Sequence, residues 1–176
     1  MGISFTKTEI SGNPALKYVN EYIPENSGTS NFSIKGTEPL DFSKGALLLS
    51  YDVTPQSNLT WLGDGAKSNI LIPTLRIGST EISQLSIIEH GGIKAAYKTA
   101  PTAWGRSAYL TGWENNTLVA DTTVKFQLLL EKEGNKITAT QYINEKPVYY
   151  TLSDEAKLAS VTVDITEEEL AKEWTL

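Results

Sequence analysis

Two stretches of the chain combine flat aromatic rings with amide, carboxylate and guanidinium groups. The first stretch contains Trp61, Asp64 and Asn69. The second places seven such residues within thirteen positions: Trp104, Arg106, Tyr109, Trp113, Glu114, Asn115 and Asn116. Aromatic rings can cover the apolar face of a pyranose, and the polar groups match vicinal hydroxyls. These residue types therefore predict a carbohydrate-binding site that needs no metal ion.

The tryptophans decide between two interpretations of these stretches. Three of the four, Trp61, Trp104 and Trp113, fall in segments whose pattern is typical of loops. An exposed tryptophan in a loop is costly without a partner, so at least one is expected to face solvent and bind a ligand. The alternative for each ring is that it folds back and closes one end of the core.

The sequence offers no catalytic arrangement. A glycosidase needs two carboxylates facing each other across a cleft, and no run of acidic residues at alternating positions occurs. His90 is the only histidine and cysteine is absent, so a triad or a histidine-based metal site would need carboxylates from distant segments. With Gly91 and Gly92 after it, His90 is interpreted as a turn residue. We therefore predict a protein that is not an enzyme and has no catalytic residue.

Metal binding is only weakly indicated. The Gly63-Asp64-Gly65 segment is similar to part of a calcium loop, but the alternating ligands and closing glutamate of an EF-hand are missing. A structural calcium ion held by Asp41, Asp52, Asp121 or backbone carbonyls is left open. No residue is assigned to a metal site, and no other cofactor is expected.

Charge and hydropathy restrict the partners. The chain has 176 residues and a net charge of −6, with fifteen basic residues scattered among twenty-one acidic ones. A phosphate backbone needs a cationic face, so nucleic acid is excluded as a partner. No apolar run is long enough to insert into a membrane, and the first residues lack the layout of a signal peptide. If the protein is exported, its signal lies outside this sequence.

The stretch from Asp121 to Ser153 predicts the clearest structure, a meander of three antiparallel strands. Val124 to Glu131 is followed by a turn containing Gly134-Asn135, and Lys136 to Ile143 returns with alternating apolar residues. A second turn at Asn144 leads into Pro147 to Leu152. Further strands are predicted at Ile3 to Ile10, Ala15 to Ile23, Ala46 to Val53, Ile70 to Ile77, Glu81 to Glu89, Ile93 to Tyr97, Ser107 to Thr111 and Ser160 to Ile165.

Two of the remaining segments have particular patterns. Ala46 to Val53 is almost continuously apolar, which predicts burial on both faces. Thr166 followed by Glu169 is a capping box and predicts a helix from Glu167 to Trp174. Asp154 to Ala159 is expected to be a polar connector. The chain is therefore predicted to be an all-β, two-sheet antiparallel β-sandwich (jelly roll) over residues 1–165, with a short helical tail or linker over 166–176.

The order of features from Gly45 to Ile165 resembles concanavalin A-like and laminin-G-like jelly rolls. The resemblance is carried by ALLLSYDVTP, the aromatic loop after it, and the late hairpin VKFQLLLEKEGNKITATQYINEKPV. It implies recognition of a cell-surface or cell-wall polysaccharide, as in carbohydrate-binding modules, lectins and phage tail proteins. Such a module would act outside the cell or on a cell or virion surface, beside other domains of a larger protein.

A second function class stays open. Exposed tryptophan and tyrosine are also favoured at protein hot spots, so the same residues fit a structural or protein-interaction module of a phage tail, a baseplate or a cell-surface adhesin.

Overall fold

The computed structural model describes residues 3–10, 12–20, 33–36, 38–57, 70–100 and 103–176. Within these ranges the protein is all-β, with several antiparallel sheets and one short helix. In chain order the elements are β1 (Ile3–Ile10), β2 (Asn13–Asn20), β3 (Leu47–Val53), β4 (Ile70–Leu71), β5 (Leu75–Ile77), β6 (Thr80–Ser83), β7 (Ile87–Glu89), β8 (Gly92–Ala100), β9 (Ala103–Tyr109), β10 (Val124–Glu133), β11 (Lys136–Ile143), β12 (Lys146–Pro147), β13 (Tyr149–Leu152), β14 (Glu155–Leu158), β15 (Ser160–Asp164), α1 (Glu167–Leu170) and β16 (Trp174–Thr175).

The largest sheet is built around the β10–β11 hairpin. Apolar residues of β10 alternate into the core, where Phe126 and Leu130 are fully buried. Gly134, at a φ of 56°, supplies the left-handed conformation that the tight turn requires. β3 pairs with the other edge of β10, while β15 and β12 pair with successive parts of β11. The predicted strands β10 and β11 are thus confirmed.

A second sheet has the order β4-β7-β8-β9 and continues beyond β9. Leu110 forms an isolated antiparallel bridge with Tyr150, and the Thr111 amide donates to the Tyr149 carbonyl at 2.7 Å. These bonds join the end of β9 to the β13–β14 hairpin. A third sheet has the order β16-β5-β6, and β1 pairs with β2 in a two-stranded sheet of its own.

The three larger sheets share one hydrophobic core, so the architecture is sandwich-like. Its largest fully buried apolar members come from all three sheets and from the segment between β9 and β10: Leu75, Ile77, Ile82, Ile93, Leu110, Leu118, Phe126, Leu130 and Ile137. Among the predicted strands, Ile3 to Ile10 is confirmed with the same bounds, and Ser160 to Ile165 is confirmed as β15.

The third strand of the predicted meander is wrong in its pairing. β12 and β11 pair at only two positions, and Pro147, which lacks an amide hydrogen, cannot donate to the ladder. The chain then turns away, and β13 pairs with β14. The expected polar connector from Asp154 to Ala159 is therefore largely the strand β14. A turn with positive φ at Ser153 and Asp154 joins the two strands.

Two further expectations are corrected. β3 is half-buried on one face only, because the core covers only that side of its sheet, and Leu48 on the other face is 57% exposed. The C-terminal helix starts as predicted, with the Thr166 hydroxyl accepting from the Glu169 amide at 3.1 Å. It ends at Leu170, because the residues that follow pair with β5 as strand β16.

Candidate functional site

The residues predicted to bind a ligand do not form one group in the fold. Trp61 and Asp64 lie outside the described residues. Trp104, predicted to lie in a loop, belongs instead to strand β9, opposite Lys98, and Arg106 lies opposite Tyr97. Tyr109 lies five positions farther along the same strand, about 17 Å from Trp104 at ~3.3 Å per residue. The extended backbone of β9 thus separates Trp104 from the cluster at Tyr109.

The bridge between Leu110 and Tyr150 fixes which side chains face outward here. Both residues are buried, so their neighbours on the two strands point to the opposite, outer side of the sheet. In the β13–β14 pairing Tyr149 lies opposite Leu158, so Leu158 points to the same outer side. The outer strip, as we call this row, consists of Tyr109, Thr111, Tyr149, Thr151, Ala156 and Leu158.

Charged groups fix the Tyr109 end of the outer strip. The Lys94 Nζ lies 4.6 Å from the centre of the Tyr109 ring, and it pairs with the Glu89 Oε2 at 2.8 Å. The Glu89 Oε1 in turn lies 3.4 Å from the His90 Nε2. Burial raises the pKa of Tyr109, an effect that Lys94 opposes. The Tyr109 phenol therefore stays neutral and its ring is held in one place by the cation above it.

The loop formed by residues 111–117 folds back across the start of β8. The Ile93 amide donates to the Trp113 carbonyl at 2.8 Å, and the Leu118 amide donates to the Gly91 carbonyl at 2.8 Å. Only glycine fits at position 92, because a Cβ there would lie 2.6 Å from the Glu114 carbonyl oxygen. The loop is thus held by its backbone and by the side chains of Glu114 and Thr117, which bond to backbone groups.

The side chains of this loop combine one aromatic ring with exposed polar groups. Trp113 is half-buried and packs partly against the core. Asn115 and Asn116 are exposed, and Asn116 adopts a φ of 64°, a conformation that asparagine tolerates better than most residues. The Oε1 of Glu114 accepts from the Gly112 amide at 3.1 Å. The backbones of Trp113 and Asn116 bond to Ile93 and His90, and Tyr109 lies opposite Lys94, so the predicted residues Tyr109, Trp113, Asn115 and Asn116 come from one region of the fold.

Sequence reasoning missed the β13–β14 part of this region. Tyr149 is 45% exposed and Leu158 is 40% exposed, and they face each other across the hairpin. The adjacent Tyr149-Tyr150 pair carried a signal, because alternation in a strand sends only one of two neighbouring rings into the core. His90, with a φ of 55°, is a turn residue as predicted.

The region is a surface rather than a deep cavity. A depression beside α1, by contrast, is lined by Asp41, Phe42 and Leu170 and is bordered by the Lys132–Glu167 ion pair at 2.9 Å. It contains none of the predicted binding residues. The geometry of the outer strip suits a ligand that lies flat on rings and hydroxyl groups.

No metal centre is formed by the described part of the chain, where no three His, Asp or Glu side chains come together in a suitable cluster. Asp41 accepts from the Ser43 amide at 2.9 Å, a bond that lowers the pKa of Asp41. Asp52 lies exposed on β3, and Asp121 occupies a turn at a φ of 55°. The structural calcium ion that the sequence left open is not tested by these positions.

Within the described ranges, no helix has the length and apolar character needed to cross a membrane. No family model, curated protein or solved structure matches this chain.

Proposed function

We propose that the protein is a non-catalytic carbohydrate-binding module that recognises a cell-surface or cell-wall polysaccharide outside the cell or on a virion. One observation supports the proposal: the loop 111–117, which carries Trp113, Asn115 and Asn116, is bonded through its backbone to His90 and Ile93, close in the sheet to Tyr109 and its partner Lys94. The jelly-roll topology that the sequence predicts is part of the same proposal.

The fixed backbone of this loop supports binding on energetic grounds. A loop that is already ordered loses little conformational entropy when a ligand binds, so weak contacts suffice. The hydrogen bonds to Gly91 and Ile93 provide that order. A flat, polar site of this kind binds with dissociation constants on the order of micromolar to millimolar, and gains strength when several copies act together.

The carboxylates near the loop favour binding over catalysis. Glu89 is paired with Lys94 at 2.8 Å, and Glu114 accepts from the Gly112 amide. A glycosidase needs one carboxyl that is free to donate a proton and a second that acts across the sugar. Both of these carboxylates are instead engaged with groups of the protein.

The test is calorimetric titration of soluble bacterial and plant polysaccharides into wild type, Asn115→Ala and Gly92→Ala. We expect Asn115→Ala to weaken binding about 5- to 10-fold, because one hydrogen bond contributes ~1 kcal/mol. Gly92→Ala should weaken it at least as much, since the added Cβ collides with the Glu114 backbone and displaces the loop.

Asn135→Ala, at the exposed turn between β10 and β11, is the matched control and should bind like wild type. Thermal melts are measured for every variant. A variant that melts like wild type but binds more weakly has lost a ligand contact and not its fold. If no polysaccharide binds wild type, or if Asn135→Ala loses as much affinity as Asn115→Ala, the proposal is wrong.

A different observation favours the second candidate, a structural or protein-interaction module of a larger assembly. On the outer face of the largest sheet, Leu48 is 57% exposed and lies opposite Leu129 of β10. Exposed leucine on a sheet face suits contact with another protein. Solution mass distinguishes the two functions, because a stable oligomer would favour this one.

A further inference from the structure

We propose that the ligand is a linear chain of uncharged sugar residues that runs along the outer strip, with Tyr149 and Leu158 forming a second contact beyond the loop 111–117. This inference rests on the proposed function. It adds the direction of the ligand, its lack of charge and a pair of binding residues on β13 and β14.

The two contact areas are continuous in the backbone. The Thr111 amide, which lies at the start of the loop, donates to the carbonyl of Tyr149 at 2.7 Å. Tyr149 is in turn the register partner of Leu158. A ligand that leaves the loop toward β14 therefore meets the Tyr149 ring first and the Leu158 side chain next.

The Tyr149 and Leu158 side chains are exposed for a structural reason. Tyr150 faces the core and stacks on Tyr97, with ring centres 5.6 Å apart, so Tyr149 must point away from the core. A tyrosine ring and a leucine side by side form an apolar surface that rests on paired strands. Such a surface can stack against sugar rings without reordering.

The chemistry of the strip favours an uncharged ligand. Its members supply rings, methyl groups and hydroxyl groups, and none of them is charged at neutral pH. The charged residues of β14, Glu155 and Lys157, occupy the alternate positions and pair with each other at 3.3 Å. Glu114, exposed on the loop, would repel an acidic polymer. Lys94, the cation over the Tyr109 ring, is already paired with Glu89 at 2.8 Å, so its charge is not free to bind nucleic acid or an acidic polysaccharide.

The dimensions require a chain rather than a single sugar. Across the sheet, β13 lies beside the end of β9 and β14 lies beside β13. Paired strands lie ~4.8 Å apart. The distance from the strand of Tyr109 to that of Leu158 is thus about 10 Å, which is more than one sugar ring can cover. Affinity should therefore rise with the length of the oligosaccharide until both contacts are filled.

The experiment uses oligosaccharides of increasing length, cut from whichever polysaccharide binds wild type, and measures affinity by calorimetry. For wild type we expect affinity to rise with length. In Tyr149→Ala the longest oligomers should bind about 3- to 10-fold more weakly, the contribution of one aromatic contact, while the shortest should bind as they do to wild type. Tyr142→Ala, a half-buried tyrosine on the other sheet, is the matched control.

The results distinguish a failure of the extended ligand from a failure of the proposed function. If Asn115→Ala weakens binding but Tyr149→Ala has no effect at any length, the extended ligand is wrong and the proposed function stands. Tighter binding of acidic oligomers than of neutral ones would also overturn the inference. If wild type binds no oligomer or polysaccharide, both proposals fall. A wild-type dimer that Leu158→Ser dissociates would assign this surface to a second copy of the chain instead.

Discussion

The hydroxyl of Tyr51 has no hydrogen-bond partner although it is buried, and it is the only such side-chain atom in the described part of the chain. The ring stacks on Phe126 with centres 5.3 Å apart. Burial raises the pKa of Tyr51 to about 12; the Ser86 hydroxyl lies close enough to oppose this rise but does not complete a hydrogen bond with Tyr51. Ser86 itself donates to the Gln141 side chain, so Tyr51 carries the cost of an unpaired polar group.

Tyr51→Phe keeps the stacking and removes the unpaired hydroxyl. We expect the free energy of unfolding at neutral pH to stay the same or to rise by about 1 kcal/mol, because an unpaired buried hydroxyl costs ~1–3 kcal/mol. In wild type the unfolded phenol loses its proton near 10 and the folded one near 12. The contribution of Tyr51 to the free energy of unfolding is therefore lost as the pH rises from 10 to about 12.

Urea denaturation at neutral and alkaline pH measures both effects. The Phe variant should lose less stability than wild type between pH 10 and 12. Tyr142→Phe, on the opposite face of the same sheet, serves as the control and should keep the wild-type dependence. A large loss of stability in Tyr51→Phe at neutral pH would mean that the hydroxyl makes a favourable bond.

Single residues with a local physical role could be predicted from the sequence. Thr166 is the helix N-cap, and Asn144 adopts the positive φ of a hairpin turn, as their types indicated. The role of Tyr51 could not be predicted, because an unpaired buried hydroxyl depends on what lies across the core. The exposure of Tyr149 likewise depends on the stacking of its neighbour Tyr150 on Tyr97.

Among the elements, α1 is short but acts as a cap for the β5–β6 turn. The Glu169 carboxylate accepts from the Ser79 amide, from the Ser79 hydroxyl at 2.9 Å and from the Thr80 amide at 3.2 Å. The Lys172 ammonium group also donates to it at 2.6 Å. The bond from Lys172 and those from Ser79 lower the pKa of Glu169 to about 2.

Glu169→Gln should destabilise the protein at neutral pH, because the amide loses the charge that these donors face. The folded pKa of Glu169 lies below its ordinary value of 4.5, so its contribution is present above that value and is lost as the pH falls toward 2. The difference in urea midpoint between wild type and variant should shrink in this window. Glu168→Gln is the neighbouring control, and an equal loss in it would contradict the specific cap.

The start of α1 could be predicted from the sequence, but its end could not. The capping box located the first residue of α1, but only the pairing of β16 with β5 decides where the helix stops. The Trp174 ring lies over Gly36, where a Cβ would collide with it. In the same way, alternation predicted that Pro147 to Leu152 is extended. The expected partner was the preceding strand β11, whereas β13 pairs with the following strand β14.

At the scale of the whole molecule, composition and alternation were sufficient to predict an all-β protein. The continuation of the second sheet through Leu110 and Tyr150 was not predictable, since a single bridge between distant segments has no local pattern. That bridge extends the outer face from the Tyr109 end of β9 toward β14, away from Trp104.

The β1–β2 hairpin differs from the other described sheets, since its strands pair only with each other and, unlike the β13–β14 hairpin, form no bridge to another described segment. Isolated two-stranded hairpins are marginally stable in water. We therefore expect the amides of β1 and β2 to exchange with deuterium at least ~100-fold faster than those inside β10 and β11, which open only with global unfolding. Mass spectrometry of peptides from each region measures the rates.

Because the β1–β2 hairpin pairs with no other described strand, we expect a protease to cleave it faster than the rest of the described fold. A protease at low concentration should cut within the hairpin and leave a fragment containing β3 to β16 that still melts cooperatively. Equal exchange rates in the hairpin and in β10 would show instead that the hairpin opens only when the core does. Loss of the cooperative melt after cleavage would show that the core needs the hairpin to stay folded.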